Sequence, residues 1–259
     1  MKQEEILIRT PQVFGNGAHI SVPKYWLGSE ITLIKPKQRS VKEKIISLIE
    51  PYFDSILGVY LYGSHARGEQ REDSDIDLLI ISDKNLKLKA DGFEIYCLQE
   101  KMLERAVSLE PVLIYSMLAE AKPIINSALL ETIRKKYKPK KADFSKFLKE
   151  CTTFYKINKE AIANEKDKTY SGEAIVYSLM LRLRGLFIIN SLLSGETYTN
   201  KIFLSWLSTK LPDMNSKSIY ESYLLAKQDK PLKENCKVSD LLQLLGLFNS
   251  ELNELTSHG

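Results

Sequence analysis

The apolar positions of the chain follow three regimes. In residues 1–38 they come in short β-type groups. Ile6-Leu7-Ile8 predicts a strand. Phe14 to Pro23 places Gly15, Asn16 and Gly17 ahead of an alternating stretch through Ile20 and Val22. Pro23 to Gly28 fits one helical turn, and Glu30 to Ile34 a closing strand. In residues 39–137 helical and strand periods interleave. Ser40 is placed to cap a helix over Val41–Phe53, with Val41, Ile45, Ile46, Leu48, Ile49 and Phe53 on one stripe. Apolar runs at Leu57–Tyr62, Ile76–Ile81 and Phe93–Leu98 predict strands, and Pro123–Ile125 a short extended piece. Gln99–Arg105, Glu110–Glu120 and Ser127–Tyr137 predict helices. Residues 138–259 are helical in period, with candidates at 143–165, 171–194, 199–210, 216–227 and 238–256. Ser171-Gly172-Glu173 marks the start of the second of these and Gly195 its stop. The pattern predicts an α+β chain in three parts: a small β-rich module (1–38), a mixed-sheet core (39–137) and an all-α domain (138–259).

Composition adds bounds. The 259 residues are 44% hydrophobic and 27% charged, ordinary for a globular protein. A net charge of +4 suits a polyanionic ligand without requiring one. The three cysteines (Cys97, Cys151, Cys236) are far apart, and the three histidines (His19, His65, His258) form no metal-ligand spacing. The charged start, Met1 to Glu5, lacks a signal-peptide core, and Arg182 and Arg184 interrupt the apolar stretch Ala174–Leu193. The expectation is a cytoplasmic chain with a bundle helix there and no membrane span. The basic run Arg134 to Lys141, with Pro139, reads as a solvated linker or as a patch for nucleic acid or triphosphate.

The unusual chemistry lies in residues 57–81. An apolar strand breaks at Gly63-Ser64, a short segment His65–Arg67 runs to Gly68, and after a polar turn comes Ser74-Asp75-Ile76-Asp77-Leu78-Leu79-Ile80-Ile81. Residues i and i+2 of a strand share a face, so Asp75 and Asp77 point the same way. Two carboxylates at the head of a buried strand repel unless a cation lies between them. Glu94, inside the next apolar strand, also asks for a partner. A strand-turn-strand whose acids only cap a loop is the bland reading of the same residues.

The run Gly63-Ser64-His65-Ala66-Arg67-Gly68, followed by Ser74-Asp75-Ile76-Asp77-Leu78, resembles the GSxARG…SDxDL signature of the nucleotidyltransferase superfamily that includes DNA polymerase β. The resemblance covers residues 40–137 and implies a mixed-sheet nucleotidyltransferase core. It implies transfer of a nucleoside monophosphate from an NTP such as ATP to an acceptor hydroxyl on a protein, an RNA or a small molecule, with release of pyrophosphate. Asp75, Asp77 and Glu94 would be the catalytic and metal-ligating acids for two Mg²⁺ ions, with Mn²⁺ an alternative. The family more often has Asp at the third position. Gly63, Ser64 and Arg67 would bind the nucleotide, although Arg67 could instead pair with Glu72 and Asp73. His65 and Ala66 read as spacers. Glu173 is a weaker candidate for an acceptor-side base, set against a solvated first-turn glutamate.

Two further resemblances bear on the flanks. Gly15-Asn16, Ile20, Val22-Pro23-Lys24, Gly28 and Ile31 resemble an AbrB-like swapped-hairpin module, which implies a homodimer and, more weakly, DNA binding. So small a unit needs a second copy or a neighbouring domain to bury a core. The helical half resembles in character the bundles of kanamycin nucleotidyltransferase-like and HEPN-like proteins, without the Arg-x4-6-His pair of the HEPN ribonucleases. These features keep a second function open: a DNA- or partner-binding regulator or antitoxin, with the transferase unit serving as a binding surface.

Overall fold

The structure is a computed structural model that describes residues 7, 9, 11–33, 40–72, 74–165, 169–170, 173–232 and 234–257. The strand expected at 6–8, the lysine-rich segment before Ser40, Asp73, the helix start at Ser171-Gly172 and His258 fall wholly or largely outside these residues. The chain divides into two compact units, Met1–Ser40 and Val41–Gly259.

The first unit contains a hairpin of β1 (Gln12–Phe14) and β2 (Gly17–His19), which pair antiparallel. Gly15 turns the corner at φ 56°, a left-handed conformation that glycine adopts without steric cost. A single 3-10 turn at Lys24–Trp26 fulfils the helical turn expected there. The alternating strand expected through Ile20 and Val22 ends at His19, and residues 30–33 form no strand. Extended segments need a ladder partner, and within this unit the described residues offer none to either stretch. Val13, Phe14, Leu27 and Leu33 remain 70% or more exposed.

The second unit is built on a four-stranded mixed sheet in the order β5-β4-β3-β6, from β3 (Ile56–Tyr62), β4 (Ile76–Ser82), β5 (Phe93–Gln99) and β6 (Lys122–Ile125). β3 runs antiparallel to both β4 and β6, whereas β4 and β5 are parallel. The parallel pair is joined by residues 83–92 alone, whose Leu88 is buried. Both faces of β4 are covered, as its near-continuous apolar sequence requires. Val59, Ile76, Leu78 and Ile80 pack with Ile45 and Ile49 of α1 (Val41–Ile49). Tyr60, Tyr62, Leu79 and Ile81 face the opposite way, into the larger core. α1 gives way to a 3-10 segment, Glu50–Ser55, short of the Phe53 end that its apolar stripe predicts. Pro51 explains this, because it lacks the N–H that an α-helix interior requires.

The remaining helices are α2 (Gly63–Arg67), α3 (Leu103–Leu109), α4 (Pro111–Glu120), α5 (Ser127–Lys136), α6 (Ser145–Ala163), α7 (Ala174–Ser194), α8 (Asn200–Lys210), α9 (Ser216–Lys227) and α10 (Val238–Ser257). A two-residue ladder, β7 (Thr169–Tyr170) with β8 (Cys236–Lys237), was not foreseen. α7 is the centre of the bundle and packs against α6, α9 and α10. It is 21 residues long with mean hydropathy 1.4, enough to cross a membrane by length and composition. Yet 61% of its apolar window is buried inside the protein, so packing accounts for its character. One apolar cluster runs without a break from Tyr60 and Leu79 in the sheet, through Ile114 and Leu118 of α4, to Leu183 of α7 and Phe248 of α10. The basic run at 134–141 is therefore more than solvated linker. Arg134 Nε donates to the Leu118 carbonyl at 2.7 Å and its Nη2 to those of Ala119 and Ala121 at 3.2 and 2.8 Å, closing the C-terminus of α4.

Candidate active site

The turn that follows β3 sets the geometry of the site. Gly63 lies at φ +68°, and a Cβ built on it would stand 1.9 Å from Asp77 Oδ2. Only glycine satisfies both the left-handed backbone and this approach. α2 then runs for five residues and ends on Gly68 at φ 74°, whose N–H returns to Ser64 O. Ser64 is half-buried, and its backbone N–H is directed at the Asp77 carboxylate. His65 Nε2 lies 3.3 Å from Ser74 O, so it braces the polar turn, and Ala66 is buried.

The acids are positioned by strand register. Tyr62 is opposite Asp77 across the antiparallel pair, and Asp77 is opposite Glu94 across the parallel one, so the three form a row on one face of the sheet. Asp75 lies two residues before Asp77, exposed and just ahead of the strand. Burial and the neighbouring Glu94 push Asp77 up to about 6, against the opposing pull of the Ser64 N–H and the Arg67 charge. Burial, Asp77 and Glu94 likewise push the Tyr62 phenol well above its ordinary value. Both shifts have the sense expected of a site short of positive charge. Among the described residues no three histidine, cysteine, aspartate or glutamate side chains close up into a metal cluster. An open set of carboxylates is the arrangement that suits a hard cation sharing its coordination with water and phosphate oxygens.

Around this row runs a network that the sequence did not reveal. The Gly63 N–H donates to Glu120 Oε1 at 3.0 Å, and Glu120, the last residue of α4, also pairs with Arg67 Nη1. Arg67 Nε donates to Glu69 Oε2 at 2.9 Å. Glu69 in turn accepts the backbone N–H groups of Asn200 (3.2 Å) and Lys201 (3.1 Å), the first two residues of α8. Of the two acids considered for Arg67 from the sequence, Asp73 lies outside the described residues, and the pairs seen are with Glu69 and Glu120. The Arg67 guanidinium also stands 5.6 Å from the centre of the Tyr198 ring, and Arg184 stands 5.0 Å from the same ring. Arg184 Nε donates to the Tyr198 hydroxyl, which donates to Asn200 Oδ1 at 2.8 Å. Glu120 and Tyr198 further line a crevice of about 310 Å³ together with Tyr115, Tyr137 and Leu192. Glu173 is exposed at the N-cap of α7. One local signal pointed to Glu120: a carboxylate at the end of an apolar helix opposes the helix dipole and needs a cation. Asn200 and Tyr198 carried none.

Comparison with known proteins finds what this part of the chain is similar to. Residues 43–134 match the family model described as polymerase beta, nucleotidyltransferase. A curated protein of Methanocaldococcus jannaschii, provisionally named a protein adenylyltransferase, is 40% identical over 47 residues, 18% of this chain. The chain spans about half the length of that relative, 47%. Among solved structures, the spectinomycin adenyltransferase of Enterococcus faecialis with ATP and spectinomycin is a distant likeness. Its TM-score is 0.42 at 14% identity, over 82% of this chain and 96% of that one. The matched span contains Gly63, the first residue of α2 directly after β3, and Asp77 and Glu94 on the neighbouring strands β4 and β5, and this part of the chain is similar to polymerase beta nucleotidyltransferase domains.

Proposed function

We propose that the chain transfers a nucleoside monophosphate from an NTP to an acceptor hydroxyl and releases pyrophosphate. The observation that carries this reading is the side-by-side placement of Asp77 and Glu94 in parallel register, with the Gly63-Ser64 turn packed on Asp77. Asp75, Asp77 and Glu94 would hold Mg²⁺, with two ions as the expected number and Mn²⁺ as a substitute. When bound, the metal supplies the positive charge that this acidic row lacks and neutralises the triphosphate. Glu94, the exposed member of the row, accepts the acceptor's proton as its oxygen bonds to the α-phosphorus. The bond from the α-phosphorus to the α,β-bridging oxygen breaks, and that oxygen leaves with pyrophosphate. Gly63 and Ser64 shape the phosphate side. Arg67, whose charge already acts on Asp77, adds positive potential there. The Methanocaldococcus relative makes ATP the first donor to test and a protein hydroxyl the first acceptor.

The deciding experiment incubates the purified chain with α-labelled ATP and Mg²⁺. Acceptors are the chain itself, total cell protein, RNA and hydroxyl-rich small amines. Label should pass to one of these only with the divalent metal present. Asp75→Ala combined with Asp77→Ala should abolish it, and Asp77→Asn alone should lower it at least about 100-fold. No transfer from any of the four NTPs would overturn the proposal. A second reading, a regulator that binds DNA or a partner through the first unit, is favoured by one observation: the bare apolar side chains Val13, Phe14, Leu27 and Leu33. It predicts salt-sensitive DNA binding that is lost on removal of residues 1–40.

A further inference from the structure

From the contacts around Arg67 we infer that Glu69 is a positioning residue that fixes helix α8 to the motif turn, so that the state of the nucleotide site is registered in the helical part of the chain. This deepens the transferase reading and rests on it for its functional half only. The route is continuous: Gly63 N–H to Glu120, Glu120 to Arg67, Arg67 to Glu69, and Glu69 to the N–H groups of Asn200 and Lys201.

Helix α8 needs such a partner. The first N–H groups of a helix have no acceptor inside it. Thr199 Oγ1 accepts only the third, from Ile202, at 3.0 Å. The first two are taken by a carboxylate more than 130 positions earlier in the chain. That carboxylate sits directly after the C-cap glycine of α2 and carries a guanidinium on its own Oε2. Burial alone would raise the Glu69 pKa, but the donors from Arg67, Lys201 and Asn200 hold it below its ordinary value. The charged form is therefore the one the network keeps. A half-buried ion pair that ended in solvent would stabilise little. This one ends on the positive pole of an 11-residue helix, and its other end is the glycine whose backbone is packed on Asp77. Any displacement of the turn on nucleotide binding must move Glu69 or strain two charge-assisted hydrogen bonds to α8.

Amide hydrogen exchange tests this on the full chain. In Glu69→Gln, which keeps the shape and loses the charge, exchange at Asn200 and Lys201 should rise at least about fivefold. Exchange at the β4 amides should be unchanged, which shows that the variant is folded. Thr199→Ala should affect Ile202 far more than Asn200 or Lys201, separating the local cap from the remote one. Adding Mg²⁺ and ATP to the natural chain should change exchange at Asn200 and Lys201 at least threefold, and Glu69→Gln should lose that response. In the transfer assay Glu69→Gln should lower kcat while KM for ATP stays within about twofold. Unaltered exchange at Asn200 and Lys201 in Glu69→Gln would overturn the inference, as would a response to ATP that survives in the variant. If the natural chain bound no nucleotide, the transferase reading would fall. The tie itself would still be decided by the exchange measured without ATP.

Discussion

At the scale of single residues, the site is governed by what cannot be substituted. Gly63→Ala meets two obstacles: a left-handed backbone, about 1–2 kcal/mol for an L-residue, and a methyl group directed into the Asp77 carboxylate. For a unit this large, where 1 kcal/mol shifts Tm by about 2–4 °C, the expected result is a Tm lower by about 5 °C or more together with loss of transfer. Calorimetry and the label assay check the two parts. Asp77 gives a prediction with a definite sign. Its folded pKa, about 6, lies above the ordinary carboxylate value, so the folded protein binds the proton more tightly. The destabilisation is complete above pH 6 and is relieved as pH falls toward 4. Asp77→Asn should therefore stabilise the folded chain at pH 7.5 in EDTA by about 1 kcal/mol after allowance for solvent screening, read as a higher Tm, and the gain should vanish near pH 4. An equal gain at both pH values would mean that the group's charge is not the cause. Much of this was readable in the chain. The spacing of two between Asp75 and Asp77 and the Gly63-Ser64 break announced acids and a turn. The partners of Arg67 were not readable, because Glu120 is 53 positions away and only the packing of α4 brings it there.

At the scale of elements, periodicity succeeded wherever burial is one-sided. α9 is found at the predicted 216–227, and α6 and α10 lie within a residue or two of expectation. The N-terminal unit departed because extended segments depend on partners, which local sequence does not encode. α7 shows what helical period alone leaves out. Its Gly185 reads as a weak point in a helix, yet a Cβ there would lie 2.4 Å from Phe147 Cζ of α6. The glycine sets how closely the two helices approach. Gly185→Leu should overpack this contact at a cost of about 1–3 kcal/mol, seen as a lower midpoint in urea with an unchanged slope. A neutral Gly185→Leu would show that Phe147 has room to swing away.

At the scale of the whole molecule, the boundary drawn at 138 by the change from strands to helices is crossed by one apolar cluster. A charge run suggested a seam, whereas the hydrogen bond from the Tyr115 hydroxyl to Asp143 (2.8 Å) joins the two sides. Residues 41–259 should therefore melt as one cooperative transition in calorimetry, within about 3 °C of the full chain, because Met1–Ser40 is a separate compact unit. A fragment of 41–137 alone should bind hydrophobic dyes and lack a sharp transition, since the face bearing Tyr60, Leu79 and Ile81 would be bare. A sharp two-state melt of that fragment would show that the sheet stands without the bundle.

The loop at 83–92 has a consequence for how such a chain can vary. Parallel neighbours usually need a longer crossover, and here ten residues, pinned by buried Leu88, carry the chain from the end of β4 to the start of β5. The loop is thus a ruler that sets which residue of β5 faces Asp77. Deleting one residue from it would slide β5 by one position, and a slip of one turns every side chain to the opposite face. Glu94 would then leave the acidic row, and Ile95 would take its place. In variants of this chain, insertions and deletions at 83–92 should be rarer in active proteins than amino-acid exchanges at the same positions.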